Sequence, residues 1–290
     1  MNKVLETKRN LDKIISTIGD LPATPAVIAT LMNLTSNINA DIEKIIRAIR
    51  ADQSLTAKVL KMSNSSFYGR AREVKTLREA ILILGFMTLH SLVIATSTQG
   101  LYQKSTNSRI SGKLWEHAFA CALASRLIAQ EVKYPYVEEA FIAGLLHDIG
   151  KLVLSQKAAD EYFRIAQKVE ATGGAFADAE TAAFSFTHAD VGSLLLGKWS
   201  FPGELIEAVG NHHQFPPPEG APPAPLVSII HLGNFTAKKL GVGFTDYRPD
   251  NLSSLLSARS LELDADRLAA VEQKLREHYA SEQELFKLKN

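Results

Sequence analysis

The chain has 290 residues, of which 46% are hydrophobic and 22% are charged, and its formal net charge is +1. These values are typical of a globular protein and indicate neither a nucleic-acid nor a membrane partner. The single cysteine, Cys121, excludes an intrachain disulfide bond and favours a reducing compartment. Residues 1–16 lack the apolar run of a signal peptide, so we expect a cytoplasmic protein.

Apolar residues recur at helical spacing throughout the first hundred residues. This pattern predicts helices over 21–35, 40–52, 54–65 and 76–103, the last of which contains at least one long buried helix. The most apolar window, 81–96, spans 16 residues and is too short to cross a membrane. The glycine-containing stretch 65–74 predicts a turn, which is either a surface for a partner or ligand or simply an ordered connection.

The polar stretch 104–112 interrupts the helical pattern and predicts a boundary between two lobes, 15–108 and 109–290. Further helices are predicted over 113–132, 137–156, 159–174, 187–201, 203–215 and 226–241, with amphipathic segments within 248–259 and 264–288. The proline-rich stretch 215–225 predicts a loop. Because no alternating strand pattern of useful length is present, we predict an all-α fold of two packed helical lobes.

Six of the eight histidines fall between residues 117 and 231, mostly in apolar helical segments. The stretch FIAGLLHDIGKLVL (141–154) places His147 and Asp148 inside such a segment. Adjacent residues on a helix point about 100° apart, so the carboxylate could bridge two ions while the imidazole binds one. A buried carboxylate costs free energy unless it is paired or metal-bound. The alternative is a buried polar pair that connects helices.

A second pair of adjacent histidines, His212 and His213, ends a predicted helix next to the proline-rich loop. Imidazole and carboxylate ligands suit divalent ions such as Fe, Mn, Ni or Zn. The histidine pattern therefore predicts one or two such ions, although His213 could instead face solvent at the helix end.

Several motifs together resemble those of the HD superfamily of metal-dependent phosphohydrolases. They are WEH (115–117), HDIGK (147–151), THADVG (187–192) and HH (212–213). With LPATPAVIATLMNLT (21–35) and REAILILGFMTLHSLVIA (78–95), the chain is more specifically similar to HDOD (HD-related output domain) proteins over about residues 15–240. The resemblance implies an N-terminal HDOD-type helical lobe and an HD-like C-terminal lobe.

The resemblance also implies ligand positions for two ions that share Asp148. The first ion would take His117, His147, Asp148 and Asn234, and the second would take Asp148, His188, His212 and His213. Asp148 and Lys151 are the implied catalytic residues, with Lys151 holding a phosphate as a point charge. A lysine at a helix end that extends its ammonium to solvent is the alternative for Lys151.

Two features depart from the family pattern. Asn234 stands in HLGN, where related enzymes read much like HLAD. Since an amide oxygen is a neutral and weaker ligand than a carboxylate, this change weakens the first ion site. No GYP segment follows His213, which argues against the HD-GYP subgroup that degrades cyclic di-GMP.

The resemblance favours a regulatory module of bacterial signal transduction that retains most of an HD metal site and has weak or no activity. Its expected partner is a signalling protein, or a nucleotide-like or phosphate ligand. The alternative is an active metal-dependent phosphohydrolase that uses a dinuclear site on a phosphomonoester, phosphodiester or nucleotide.

Overall fold

The computed structural model of the chain describes residues 13–35, 42–65, 73–105, 107–215, 224–244, 246, 249, 251–286 and 288. Within these residues the regular secondary structure is helical and no strand occurs, which confirms the predicted all-α fold. No described helix combines the length and the apolar character that crossing a lipid bilayer requires. Most of the predicted turn (66–72) and of the proline-rich loop (216–223) lies outside the described residues.

The first part of the chain forms short helices. Residues 13–18 are helical, followed by α1 (Ala26–Thr35), α2 (Ile42–Arg50), α3 (Gln53–Ser63), α4 (Leu77–Leu84) and α5 (Phe86–Gln103). The predicted helical segment 76–103 is divided at Gly85, which has φ +85° and ψ 159°. Only glycine adopts this conformation without strain, so Gly85 ends α4 and lets the chain turn into α5.

The remaining helices begin with the long helix α6. They are α6 (Ser108–Glu131), α7 (Val137–Leu146), α8 (Ile149–Lys157), α9 (Ala159–Thr172), α10 (Phe176–Phe184), α11 (His188–Lys198), α12 (Gly203–Asn211), α13 (Pro225–Lys238), α14 (Leu256–Ser260) and α15 (Ala265–Phe286). The α6 helix packs against α5, α7, α13 and α15. It begins earlier than predicted because the Asn107 side chain accepts a hydrogen bond from the Ile110 backbone at 3.1 Å.

The prediction of one continuous helix over 137–156 was wrong. The α7 helix ends at Leu146, His147 and Asp148 form a turn, and α8 begins at Ile149. Gly150 follows this break and packs directly on the backbone at the start of α11. The break thus lies beside the start of α11, where Asp148 Oδ1 is 3.1 Å from His188 Nε2.

A single hydrophobic cluster joins the two segments that were predicted as lobes, because it extends from Ile14 in the first to Leu275 in the second. A buried polar contact also links them: Arg126 of α6 pairs with Glu138 of α7 at 2.6 Å, and Ser91 of α5 donates to the same carboxylate. The boundary at residue 108 coincides with the start of α6, and its status as a lobe boundary stays a prediction.

The C-terminal end of α11 touches the N-terminal segment. Lys198 Nζ donates a hydrogen bond to the carbonyl oxygen of Leu21, and Trp199 Nε1 donates to that of Pro22 at 3.2 Å. Trp199 is buried. These contacts connect the helix that begins at His188 with the first described part of the chain.

Candidate metal centre

The fold brings the seven predicted ligand residues to one place from five parts of the chain. They are His117 in α6, His147 and Asp148 between α7 and α8, His188 at the start of α11, His212 and His213 after α12, and Asn234 in α13. All are buried except His213, which is half-buried. Their nitrogen and oxygen atoms form two groups that share Asp148.

The first group, called the three-histidine group, comprises Asp148, His188, His212 and His213. His188 Nε2 lies 3.1 Å from Asp148 Oδ1, 2.9 Å from His213 Nε2 and 3.4 Å from His212 Nε2. His212 Nε2 lies 3.8 Å from Asp148 Oδ1. Three imidazole nitrogens and one carboxylate oxygen thus converge on one point.

Three of the histidine rings are oriented by a hydrogen bond from Nδ1, the ring nitrogen that faces away from the centre. His188 Nδ1 donates to Glu180 Oε2 at 2.6 Å, His212 Nδ1 to the carbonyl of Val209 at 2.6 Å, and His147 Nδ1 to the carbonyl of Gly144 at 2.8 Å. A neutral imidazole that donates through Nδ1 keeps a lone pair on Nε2. When such a ring is neutral, its Nε2 atom is available to a ligand, which is the usual arrangement of metal-binding histidines.

Glu180 is a site residue that sequence reasoning missed, since no helix was predicted over α10. Its side chain is completely buried and accepts hydrogen bonds from the His188 backbone at 2.8 Å and from the Tyr162 hydroxyl at 3.2 Å. A signal was present: Glu180 follows the apolar Phe176 by four residues and so shares its helix face. A carboxylate on an otherwise apolar helix face needs a partner, and here the partner is His188.

The second group, called the His117 group, comprises His117, His147, Asp148 and Asn234. His117 Nε2 donates to Asn234 Oδ1 at 3.0 Å and lies 3.6 Å from Asp148 Oδ2. His147 Nε2 lies 3.3 Å from the same carboxylate oxygen. Lys151 Nζ donates to that oxygen at 2.8 Å, so the lysine contacts the centre directly.

Burial and neighbouring charges determine the protonation of these side chains. Desolvation and the nearby histidines hold the pKa of His212 and His213 well below the usual range. Burial opposes charge on Asp148, but His147 and Lys151 outweigh it and hold its pKa well below the usual range. Against the effect of burial, Asp148 raises the pKa of His147 to about 10, so a metal ion at His147 must displace a proton.

The donor set fits a divalent transition-metal ion. His147 Nε2 and Asp148 Oδ1 are buried and have no hydrogen-bond partner among the described residues. An unsatisfied buried polar atom costs about 1–3 kcal/mol, and a bound ion would remove that cost. Nitrogen and carboxylate ligands suit Zn, Fe, Mn or Ni, and such an ion supplies Lewis acidity and an activated water when bound.

Comparison with known proteins agrees with this architecture. The model of the HDOD domain family matches residues 21–215. A crystal structure of an HDOD domain protein of unknown function from Geobacter sulfurreducens superposes with a TM-score of 0.85, at 23% identity, covering 97% of this chain and 99% of that one.

Two further solved structures share the fold. A candidate phosphohydrolase from Shewanella amazonensis has a TM-score of 0.74 at 24% identity, covering 94% of this chain and 97% of its own. A candidate signal transduction protein from Marinobacter aquaeolei has a TM-score of 0.74 at 20% identity. The superposition covers 97% of this chain and 64% of that one. At such identities the likeness shows the fold alone.

An uncharacterized protein of Treponema pallidum is 24% identical over 286 residues, which is 96% of this chain and 53% of that protein. The chain therefore spans about half the length of this curated relative.

Proposed function

The chain belongs to the HDOD domain family, and we propose that it is a bacterial signal-transduction module that holds a divalent metal ion in a closed HD-type centre with weak or no hydrolytic activity. The family membership and the convergence of imidazole and carboxylate atoms support metal binding. The Marinobacter relative, a candidate signal transduction protein, supports the regulatory role.

The burial of the centre is the observation that carries this proposal. Asp148 is 1% exposed, and His188 and His212 are 0% exposed. A hydrolase must admit a phosphoester and a water molecule to its metal, whereas among the seven predicted ligand residues only His213 is partly exposed. An ion held in this way connects helices from distant parts of the chain, which suits a structural or sensing role.

A phosphohydrolase is the second candidate, and Lys151 favours it. Its ammonium lies 2.8 Å from Asp148 and 4.5 Å from the centre of the Phe176 ring, so it is positioned to hold a phosphate beside the centre. The neutral Asn234 amide argues against high activity, because it supplies no anionic charge to an ion bound near His117.

The proposed partner is a signalling protein, or a nucleotide-like or phosphate ligand. The buried thiol of Cys121 suits a reducing compartment, and a cytoplasmic location stays a prediction.

Elemental mass spectrometry tests the metal-binding part of the proposal. The chain, purified without a metal-binding tag, should contain Fe, Mn, Ni or Zn that is lost in the variant with both His147→Ala and Asp148→Ala. A folded native chain that takes up no metal on titration would contradict the proposal.

A phosphoester screen separates the two functions. The metal-loaded native chain and Asn234→Asp are assayed against phosphomonoesters, phosphodiesters and nucleotides. Weak or absent turnover in the native chain supports the regulatory module. Rapid turnover of any of these substrates by the native chain would establish the hydrolase instead.

A further inference from the structure

The two groups of the centre differ in one contact: in the His117 group the ammonium of Lys151 bonds to the shared carboxylate, at 2.8 Å from Asp148 Oδ2. We infer that one divalent ion binds to the three-histidine group and that the ammonium of Lys151 takes the place of a second ion in the His117 group. This inference rests on the metal-binding function proposed above and goes beyond it, because it assigns the number of ions and their position.

The spacing in the three-histidine group fits a single ion. Two donor atoms that each lie about 2.1 Å from a tetrahedral ion are about 3.4 Å apart. Four of the six distances between the donor atoms of this group range from 2.9 Å to 3.8 Å, and all the donor atoms lie within 4.8 Å of one another. Hydrogen bonds from His188 to Glu180 and from His212 to Val209 already orient two of the rings, so an ion would bind with little rearrangement.

In the His117 group two donor atoms bond to each other, as His188 and His213 do in the other group, but here an ammonium also occupies the shared carboxylate. Asp148 Oδ2 accepts a hydrogen bond from Lys151 Nζ at 2.8 Å. His117 Nε2 and Asn234 Oδ1 bond to each other at 3.0 Å. His147 Nε2 is the remaining atom, and one nitrogen is too few to hold an ion. A second ion would have to break both hydrogen bonds and move a buried ammonium.

The charged side chains near the two groups also differ. Glu180, a buried carboxylate, lies behind His188 in the three-histidine group. Lys238 lies one helical turn beyond Asn234 on α13, on the side of the His117 group. It is buried and pairs with Asp246 at 2.8 Å. Glu180 therefore adds a negative charge beside the three-histidine group, whereas the pair of Lys238 and Asp246 adds no net charge beside the His117 group, where Lys151 is the ammonium in contact with Asp148.

The neutral Asn234 side chain also disfavours a second ion in the His117 group. With an aspartate at this position, two ions would share two ligand carboxylates. In this chain four positive charges would face Asp148 alone, with the Lys151 ammonium in contact with it. Like charges at such short range repel strongly in a buried site. One ion together with one ammonium is the charge arrangement that Asp148 can accommodate.

Metal stoichiometry tests the position of the ion. The full chain is incubated with excess Zn²⁺ or Co²⁺, desalted and analysed by elemental mass spectrometry, with circular dichroism to verify folding. We expect one ion per chain in the native protein and in His117→Ala. His213→Gln, at the half-buried edge of the other group, should weaken binding by at least roughly 100-fold. Loss of the ion in His117→Ala with retention in His213→Gln would overturn the inference.

A gain of binding tests the role of Lys151. The variant with both Lys151→Met and Asn234→Asp should bind two ions per chain, whereas Lys157→Met with Asn234→Asp should bind one, since Lys157 is exposed at the end of the same helix. A single ion in the first variant would overturn the role of Lys151. Two ions in the native chain would overturn the inference and leave the proposed function intact, whereas no ion at all would contradict both.

Discussion

Gly150 lies directly against the backbone of His188. A Cβ atom added to Gly150 would be 2.0 Å from the His188 carbonyl oxygen and 2.9 Å from the Gly192 nitrogen. Because these are backbone atoms, they cannot rotate away as a flexible side chain could. This contact sets the start of α8 against the start of α11 and so fixes Asp148 relative to His188.

Gly150→Ala should therefore destabilise the protein and disturb the centre. We expect the free energy of unfolding to fall by about 3 kcal/mol, since overpacking at a backbone contact forces two helices apart. Urea denaturation followed by circular dichroism measures this change. The control is Gly197→Ala on the exposed face of α11, where nothing lies within 4 Å and a gain of up to about 1 kcal/mol is expected. Equal stability of Gly150→Ala and the native chain would refute the steric argument.

Glu180→Gln should weaken metal binding without removing a ligand. Glutamine keeps the size of the side chain but lacks the charge that holds the His188 ring through Nδ1. Loss of such an outer partner lowers metal affinity by roughly 10–100-fold. Competition with a chelator measures the dissociation constant for Zn²⁺. Asp178→Asn, an exposed position on the same helix, is the matched control, and an unchanged affinity in Glu180→Gln would count against the positioning role.

His90 should make the protein less stable in acid. It is 5% exposed, and neither ring nitrogen has a hydrogen-bond partner among the described residues. Burial lowers its pKa from 6.5 to about 4. The unfolded chain thus binds a proton that the folded chain rejects between these values. Stability from neutral His90 is present above about pH 6.5 and is lost as the pH falls towards 4.

The variant His90→Leu removes this proton linkage. Between pH 7 and pH 5, the native chain should lose about 2 kcal/mol more unfolding free energy than His90→Leu. Urea denaturation at both pH values provides the comparison. The same pH dependence in the two proteins would show that His90 is protonated in the folded state.

Glu138→Ala should destabilise the contact between α5, α6 and α7. The substitution leaves the Arg126 guanidinium buried without the carboxylate that lies 2.6 Å from it, and it removes the acceptor of Ser91. Removal of one partner from a buried ion pair costs about 3–5 kcal/mol. Chemical denaturation measures the loss, with the exposed Glu116→Ala on α6 as control. A cost below about 1 kcal/mol, typical of a surface pair, would contradict this prediction.

The sequence predicted the helical fold because the apolar spacing repeats in almost every segment. It also singled out the histidines that converge, since imidazoles within apolar helical segments are conspicuous. The break between α7 and α8 was missed because the apolar pattern continues across it and gives no sign of the contact between Gly150 and His188, 38 residues away. Glu180 was missed because no helix was predicted over α10, and a single carboxylate gives no indication of its partner until the chain is folded.

The α11 helix links the candidate metal centre to the N-terminal segment. Its first residue, His188, belongs to the centre, and its last turn holds Leu21 and Pro22 through Lys198 and Trp199. Eleven residues of helix span about 16 Å, and a helix transmits displacement along its axis with little compression. The α11 helix thus connects the candidate metal centre with the segment that precedes α1. If the proposed ion binds, a shift of His188 on its gain or loss would be transmitted to Leu21 and Pro22, which are half-buried.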